Sequence, residues 1–440
     1  MFLLNFLFPK HFRSFITRKL LFWFYLSISI KFLLMATTVH PDFFFIHLFP
    51  NRIVSHGESN VYSLFETELS HRPGFYYTPP VLYFFSAVQF IFSPINPGFS
   101  IYMDQAYDLY KNGNPDPLRF LNSHKINYFY SFFLLKVPYI FFDLGLLWLI
   151  LKMAKRQNAK KIFYLWIFNP LVLYGTYMYG QFDIIQTFMM VYGIYLVIKN
   201  KFLWGFLVLG VAATFKNFSL MTIIPTALII GKNAQEKVKF TFIGFLPFIL
   251  STLFVYIQAP TQAIYTLIPK YFILKTSQIS SLYANISKFT RFAILGISYL
   301  SALFLANTLK IDKINKIIGL SLFSLIAFFA FSPIILFHYL LVVTPFMFIY
   351  FQDKPFLIKS FFLYIGTAAI FKLWTPLQQL GLFAPINNKL LTETPSLSQM
   401  IEKVIPYTYV SSLSYIVFFI LSLFFLFQIL KDLIFQSEIK

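Results

Sequence analysis

Long apolar runs alternate with short polar breaks along nearly the whole chain, and the breaks are rich in lysine. A run of about 18 or more apolar residues is long enough to cross a bilayer as a helix. The repeated pattern therefore predicts an all-α polytopic membrane protein. Crossings are expected at 18–38, 127–152, 162–180, 183–199, 202–216, 218–230, 240–258, 291–309, 315–331, 334–351, 355–373 and 409–430, making about 12 transmembrane helices.

The lysines and arginines between the runs predict an orientation. They cluster at 10–19, 152–161, 199–201, 232–239, 310–316 and 431. Basic loops stay in the cytoplasm, which places both termini there. Region 39–126 must then begin and end outside. The apolar run from Pro80 to Ser93, about 14 residues, is short for a crossing. It is expected to lie on or dip into the outer face, within one large external loop carrying surface helices. That loop continues through Asn96-Pro97-Gly98 to Asp104, Asp108, Asp116 and Arg119. Two more external loops are expected at 259–290, with Lys270, Tyr271, Lys275, Lys288 and Arg291 at its end, and at 374–408, with Trp374, Gln378, Gln379, Glu393 and Glu402.

No internal repeat and no soluble domain interrupts this order. The expected organisation is a single integral membrane domain over 1–440: an N-terminal span to 38, the external loop 39–126, a helical module 127–258, and C-terminal helices and loops 259–440. Lys10, Arg13, Arg18 and Lys19 precede the run Leu20–Ala36. That run lacks a clear small-residue cleavage site, so it reads as an uncleaved anchor.

Composition narrows the chemistry. Hydrophobic residues make up 58% and charged residues 12%, against about 25% charged in soluble proteins. The net charge of +20 lies in loops between apolar runs, where it is an orientation signal and no sign of nucleic-acid binding. Without cysteine, disulfides, thiol nucleophiles and thiolate metal sites are excluded. Four of the seven arginines, Arg52, Arg72, Arg119 and Arg291, fall outside on this topology. That placement runs against the charge rule and suggests tasks there, since the guanidinium fork suits phosphate.

The stretch from His40 to Pro80 is the long polar insert in this apolar chain. It begins His40-Pro41-Asp42 and carries His47, Arg52, His56, Glu58, Glu66, Glu68, His71 and Arg72. Asp42 comes where the first span exits. Two roles fit it: a solvated interface residue, or a general base within reach of a hydroxyl at the headgroup level. The histidines and Asp42 follow no compact ligand spacing, and Asp42 has no second carboxylate two residues away. A divalent metal on His40, Asp42, His47, His56 and His71 is therefore an alternative and not the favoured reading, and no other cofactor is expected.

Further along, Asn169-Pro170 opens a run ending Tyr179-Gly180-Gln181-Phe182-Asp183. Gln181 and Asp183 fall on the outer side with Asp42; alternatively the segment is a turn capped by Asp183. Lys216 lies between two short apolar runs, where it either meets a phosphate or snorkels to the interface. Lys136 and Asp143 share a helix face about 10 Å apart, and read as structural groups with different partners, as does Lys31. His338 lies at the outer end of a late span, as a packing residue or a neighbour of a lipid phosphate.

These pieces together resemble the GT-C glycosyltransferases, polytopic enzymes that use polyprenyl-phosphate sugars. The nearest likeness is to the glucosyltransferases of N-glycan precursor assembly, the first mannosyltransferase of GPI-anchor synthesis, and their prokaryotic relatives. It is carried by Asp42 after span one, Tyr77-Thr78-Pro79-Pro80, Asn96-Pro97, Val137-Pro138 with Asp143, Asn169-Pro170 with Gly180-Gln181-Phe182-Asp183, Lys216, and His338 with Pro345. It covers 40–230 well and the C-terminal half weakly. Thr78 stands where the family motif has proline, and Asp42 lacks the paired acid of some members.

The resemblance implies a GT-C-like fold and an inverting hexosyltransferase, with mannose or glucose as the sugar. Asp42 would be the catalytic base. Lys216, Arg291, His338 and Arg72 would hold the donor phosphate. Tyr77, Gln181 and Asp183 would contact sugar or acceptor. The partners would be a polyprenyl-phosphate sugar, a glycan, glycolipid or protein acceptor, and the bilayer of a prokaryotic plasma membrane or the endoplasmic reticulum. The competing reading is a transporter or flippase for a lipid-linked or small anionic substrate, which would also carry intramembrane Lys136, Asp143 and Lys216.

Overall fold

The computed structural model describes residues 16–69, 77–112, 127–261, 282–309, 311–331, 337–372, 383–387 and 402–438, with a few single positions between them. These residues are helical, with no strand among them. Among the described residues, five helices are long and apolar enough to cross a membrane: Arg18–Thr37, Tyr128–Met153, Ala234–Gln258, Lys313–Phe331 and Leu413–Ser437 within a longer helix. Shorter apolar helices pack among them. The chain is a helical membrane protein by these features.

In chain order the first elements are α1 (Arg18–Thr37), α2 (Pro41–His56), α3 (Pro79–Phe92), α4 (Pro97–Lys111), α5 (Tyr128–Met153) and α6 (Arg156–Ile167). They are followed by α7 (Asp183–Ile198), α8 (Phe202–Phe215), α9 (Leu220–Ile230) and α10 (Ala234–Gln258). The last are α11 (Leu282–Thr308), α12 (Lys313–Phe331), α13 (Thr344–Tyr350), α14 (Pro355–Lys372) and α15 (Tyr407–Glu438). Helices α7, α8 and α10 pack side by side, and α12 packs against α9, α11 and α15.

The segment expected to cross at 162–180 is instead broken. Helix α6 ends at Ile167, and a wide π-helical stretch runs Val172–Met178. Pro170 offers no N–H, and the Asn169 side chain accepts from the Leu171 N–H at 2.8 Å, so a regular helix cannot pass through. The segment expected at 334–351 is also divided, into a 3-10 turn at Phe337–Val342 and α13.

One face of α5 repairs that break. The Tyr177 carbonyl accepts from Lys136 Nζ at 2.9 Å and Thr38 Oγ1 at 3.3 Å. Lys136 also donates to the Thr38 carbonyl at 2.6 Å. Tyr139 Oη donates to the Gly180 carbonyl at 2.9 Å. Backbone acceptors without helical partners are costly when buried, and these side chains satisfy them. Four residues beyond Tyr139 on the same face, Asp143 accepts from Lys31 Nζ at 2.6 Å, Tyr177 Oη at 2.6 Å and Trp166 Nε1 at 2.8 Å. One carboxylate thus ties α1, α5, α6 and the π-helical stretch. Lys136 and Asp143 do have different partners, as their spacing suggested.

The described residues of 39–69 and 77–112 build a second packed body against this bundle. Phe43, Phe44, Phe49, Phe65, Tyr102 and Met103 form its core, separate from the main one. Pro79–Phe92 is one of its helices, packed on α2. Polar side chains lock the pieces: Asn51 and His56 both reach Asp104, at 2.9 and 2.8 Å. Gln89 donates to the His47 carbonyl at 2.7 Å. Arg52 pairs with Glu58 and stacks over Tyr107, so its task is structural.

Removing Asp143 would leave the Lys31 charge buried and two further donors unpaired. Asp143→Leu is therefore expected to cost about 3–5 kcal/mol, part of it recovered by adding Lys31→Met. Thermal unfolding in detergent checks this; equal melting of the single and double variants would show that the pair carries no buried charge.

Candidate functional site

The site is built where the second body meets the repaired break. His40 is the N-cap of α2, with Pro41 as its first residue, a start that suits proline because its missing N–H needs no partner. The His40 ring accepts the Asp42 N–H at Nδ1, 3.1 Å away. The cap holds Asp42 in the first helical turn, where a carboxylate also meets the positive end of the helix dipole.

Asp42 keeps 39% of its side chain exposed. Gln181 Nε2 donates to Asp42 Oδ2 at 2.9 Å, and the Tyr179 hydroxyl is a second hydrogen-bonding neighbour. Burial among protein groups raises the Asp42 carboxyl above the usual carboxylate range, while Lys216 and the two donors oppose that shift. The carboxylate is thus less acidic than one in water and remains reachable.

Gln181 reaches Asp42 because Gly180 turns the backbone. Its φ of +79° is left-handed, and a Cβ there would come 2.7 Å from the Phe43 ring. Any other residue would meet both penalties. A second close approach is at Gly175, where a Cβ would lie 2.9 Å from that of His338. The missing side chain lets the 3-10 turn bring its histidine against the π-helical stretch.

Two residues past Gln181, Asp183 opens α7. Both of its oxygens accept from Lys216 Nζ at 2.8 Å. Lys216 is 10% exposed and ends α8 in an extended conformation. Its ammonium also lies 4.9 Å from the Phe182 ring centre and 4.6 Å from that of Tyr339. Snorkelling to the interface does not describe it; it is half of a buried pair. Nor is Asp183 only a turn residue. An ammonium has three N–H donors, and Asp183 engages two, which leaves one for a further acceptor. His338 Nε2 stands 3.8 Å from Asp183 Oδ2.

Tyr77 packs edge-on against Phe182 at 5.0 Å, and its carbonyl accepts from Tyr62 Oη at 2.9 Å. The departure at Thr78 has a physical use: its hydroxyl donates to the Thr214 carbonyl, tying the start of α3 to the turn that carries Lys216.

Asp42, Tyr77, Gln181, Asp183, Lys216 and His338 therefore converge from five separate stretches of chain. Arg72, and the side chain of Arg291, lie outside the described residues, as does His71. Three groups join the site that sequence reasoning did not assign to it. They are Tyr179 on Asp42, Tyr174 in the same field, and His40 as the cap. The last had a readable signal, a polar residue just before a proline and an acid. His47 and His56 serve the second body, and among the described residues no three His, Asp or Glu side chains form a metal cluster.

Four buried polar atoms around this site have no hydrogen-bond partner among the described residues: Gln181 Oε1, His40 Nε2, His338 Nε2 and Tyr174 Oη. Buried polar groups are usually satisfied; other unpartnered atoms are spread through the described helices, and these four are the ones that lie around Asp42 and Lys216.

Gly180→Ala is expected to displace Gln181 and lower the yield of folded protein, while Gly57→Ala, with a left-handed φ of +69° but no neighbour within 4 Å, is milder. Thermal unfolding of the two variants checks this; equal losses would mean that Phe43 yields freely.

Compared with family models, curated proteins and solved structures, the chain matches none of them.

Proposed function

We propose that this chain is a membrane glycosyltransferase that moves a hexose from a polyprenyl-phosphate donor to an acceptor hydroxyl, with inversion and with Asp42 as general base. On this reading about 12 helices cross the bilayer, both termini are cytoplasmic, and residues 39–126 cover the site on the extracytoplasmic side. The single observation that carries it is the pairing of a reachable, weakly acidic carboxylate with a buried cation and unpartnered polar atoms beside it.

Asp42 takes the proton of the acceptor hydroxyl. The acceptor oxygen forms a bond to the anomeric carbon as the bond from that carbon to the phosphate oxygen breaks. Polyprenyl phosphate leaves with the electron pair. The remaining N–H of Lys216 and the His338 ring face the negative charge that develops there. Gln181 holds Asp42 in position and presents Oε1 to a sugar or acceptor hydroxyl. Tyr77 walls the same space.

A transporter would draw on the same buried charges. Lys31 and Asp143 are fully engaged with each other and with Trp166 and Tyr177, and Lys136 is spent on backbone carbonyls. These groups act as fixed braces, which favours a site that stays put over a pathway that alternates.

Asp42→Asn is expected to abolish transfer while leaving expression and donor binding near normal. The measurement is transfer or slow donor hydrolysis by purified protein with a panel of polyprenyl-phosphate hexoses; near-full activity in the variant would remove Asp42 as the base. Wild-type rate is expected to fall as pH drops through the Asp42 pKa, at a higher pH than for an ordinary carboxylate. Gln181 lowers that pKa, so Gln181→Leu is expected to move the acid limb upward. A limb unmoved by Gln181→Leu would assign the titration to another group.

A further inference from the structure

The cap on α2 determines more than the position of Asp42. A backbone N–H can only donate, so the His40 Nδ1 that accepts the Asp42 N–H at 3.1 Å must carry a lone pair. In a neutral imidazole the proton then sits on Nε2. Burial pushes His40 down to about 3, in keeping with a neutral ring near neutral pH. The far nitrogen is thus an N–H donor, fixed in direction by the cap. The Tyr179 ring stacks on the imidazole at 3.5 Å and 19° and holds its plane.

That donor has no partner. His40 is 4% exposed, and Nε2 makes no hydrogen bond among the described residues. Its surroundings point the same way. Tyr179 lies between two imidazoles, with His338 on its other contact at 5.0 Å. His338 Nε2 is likewise unpartnered and feels both His40 and Lys216. A neutral N–H donor and a second imidazole therefore lie against Tyr179, the second of them also in the field of Lys216.

We infer that His40 is a substrate-binding residue whose Nε2–H donates to an oxygen of the lipid-linked donor, while its Nδ1 caps the helix bearing Asp42. This rests on reading the site as one for a polyprenyl-phosphate sugar. The oxygen belongs to the phosphoryl group or to the sugar; both accept from a neutral N–H in the same way. The assignment differs from that of Lys216 in charge. His40 supplies direction at constant neutrality, and so leaves the charge balance of Asp42, Asp183 and Lys216 untouched.

Two substitutions separate the two ends of the ring. Asparagine is among the best N-caps, and its Oδ1 can take the place of Nδ1, so His40→Asn keeps the cap and loses the far donor. Glutamine reaches as far as Nε2 with its amide, so His40→Gln keeps a donor and loses the near acceptor. The measurement is equilibrium binding, in detergent, of a polyprenyl phosphate and of its mannosyl ester, alongside thermal unfolding of each variant.

His40→Asn is expected to melt near wild type and to bind about tenfold more weakly, the value of one lost hydrogen bond to a buried partner. His40→Gln is expected to melt lower and to bind within a few-fold of wild type. Weakening of both probes assigns the contact to the phosphoryl group, and weakening of the mannosyl ester alone assigns it to the sugar. If His40→Asn binds both probes as wild type does, His40 is a cap and nothing more, and the inference falls while the proposed function stands. If the wild-type protein binds neither probe, the reading of the site as a lipid-phosphate site falls, and this inference with it.

Discussion

A single buried carboxylate, Asp143, is the constraint on which the rest of the inner structure depends. Its two oxygens take three donors from three other elements. An ionised carboxylate in an apolar bundle is tolerable only when paired and fully hydrogen-bonded, and this one is. The consequence is geometric. Helices α1, α5 and α6 cannot slide past one another without stranding a charge. The same face of α5 then presents Lys136 and Tyr139 to the carbonyls of Tyr177 and Gly180. A broken segment that would otherwise be unstable among apolar helices is held in one shape.

That shape is what the candidate site consists of. The break places Gly180 in a left-handed turn, the turn sends Gln181 to Asp42, and the next helix begins with Asp183 on Lys216. Asp42 itself belongs to the other body, which is packed around its own aromatic core. The site is therefore a seam between two packed units, each rigid for its own reason. Among the links that cross the seam besides Gln181 are His40 stacked on Tyr179, Tyr77 on Phe182, and Thr78 on the Thr214 carbonyl. Tyr77 and Thr78 stand side by side in the chain. Both belong to the motif before α3, which gives that stretch a mechanical meaning apart from any family likeness.

Much of the helix placement was legible, because an apolar run bounded by lysines has few other ways to fold. The stretches 183–199, 202–216 and 218–230 appear as α7, α8 and α9 with ends moved by a residue or two. What was not legible was the break at 162–180. Its apolar content reads as one crossing, and only the later partners of its carbonyls, far away in sequence, make a broken path affordable. The residues of the site were legible as types and positions, since charges are scarce in this chain. Their partnerships were not. Nothing in sequence order pairs Lys216 with Asp183 or Lys31 with Asp143, because those pairs depend on which helix faces which.

The pairing of Lys216 with Asp183 bears on what the site can accommodate. Taken alone, a buried lysine would be strongly destabilised and an obvious ligand for phosphate. Paired, it is nearly neutral at rest, and the proposed phosphate would meet one remaining N–H in place of a bare cation. The resting structure thereby avoids an uncompensated charge, and the ligand is favoured only where other donors add to that one. His338 and His40 are placed to do so without adding formal charge. On the proposed reading such an arrangement would select a phosphoryl oxygen by direction and by the number of donors, and it leaves Asp42, the one reachable carboxylate of the site, free of a full counter-charge. A carboxylate held in that condition keeps the proton affinity that a base requires, which a direct salt bridge to Lys216 would have removed.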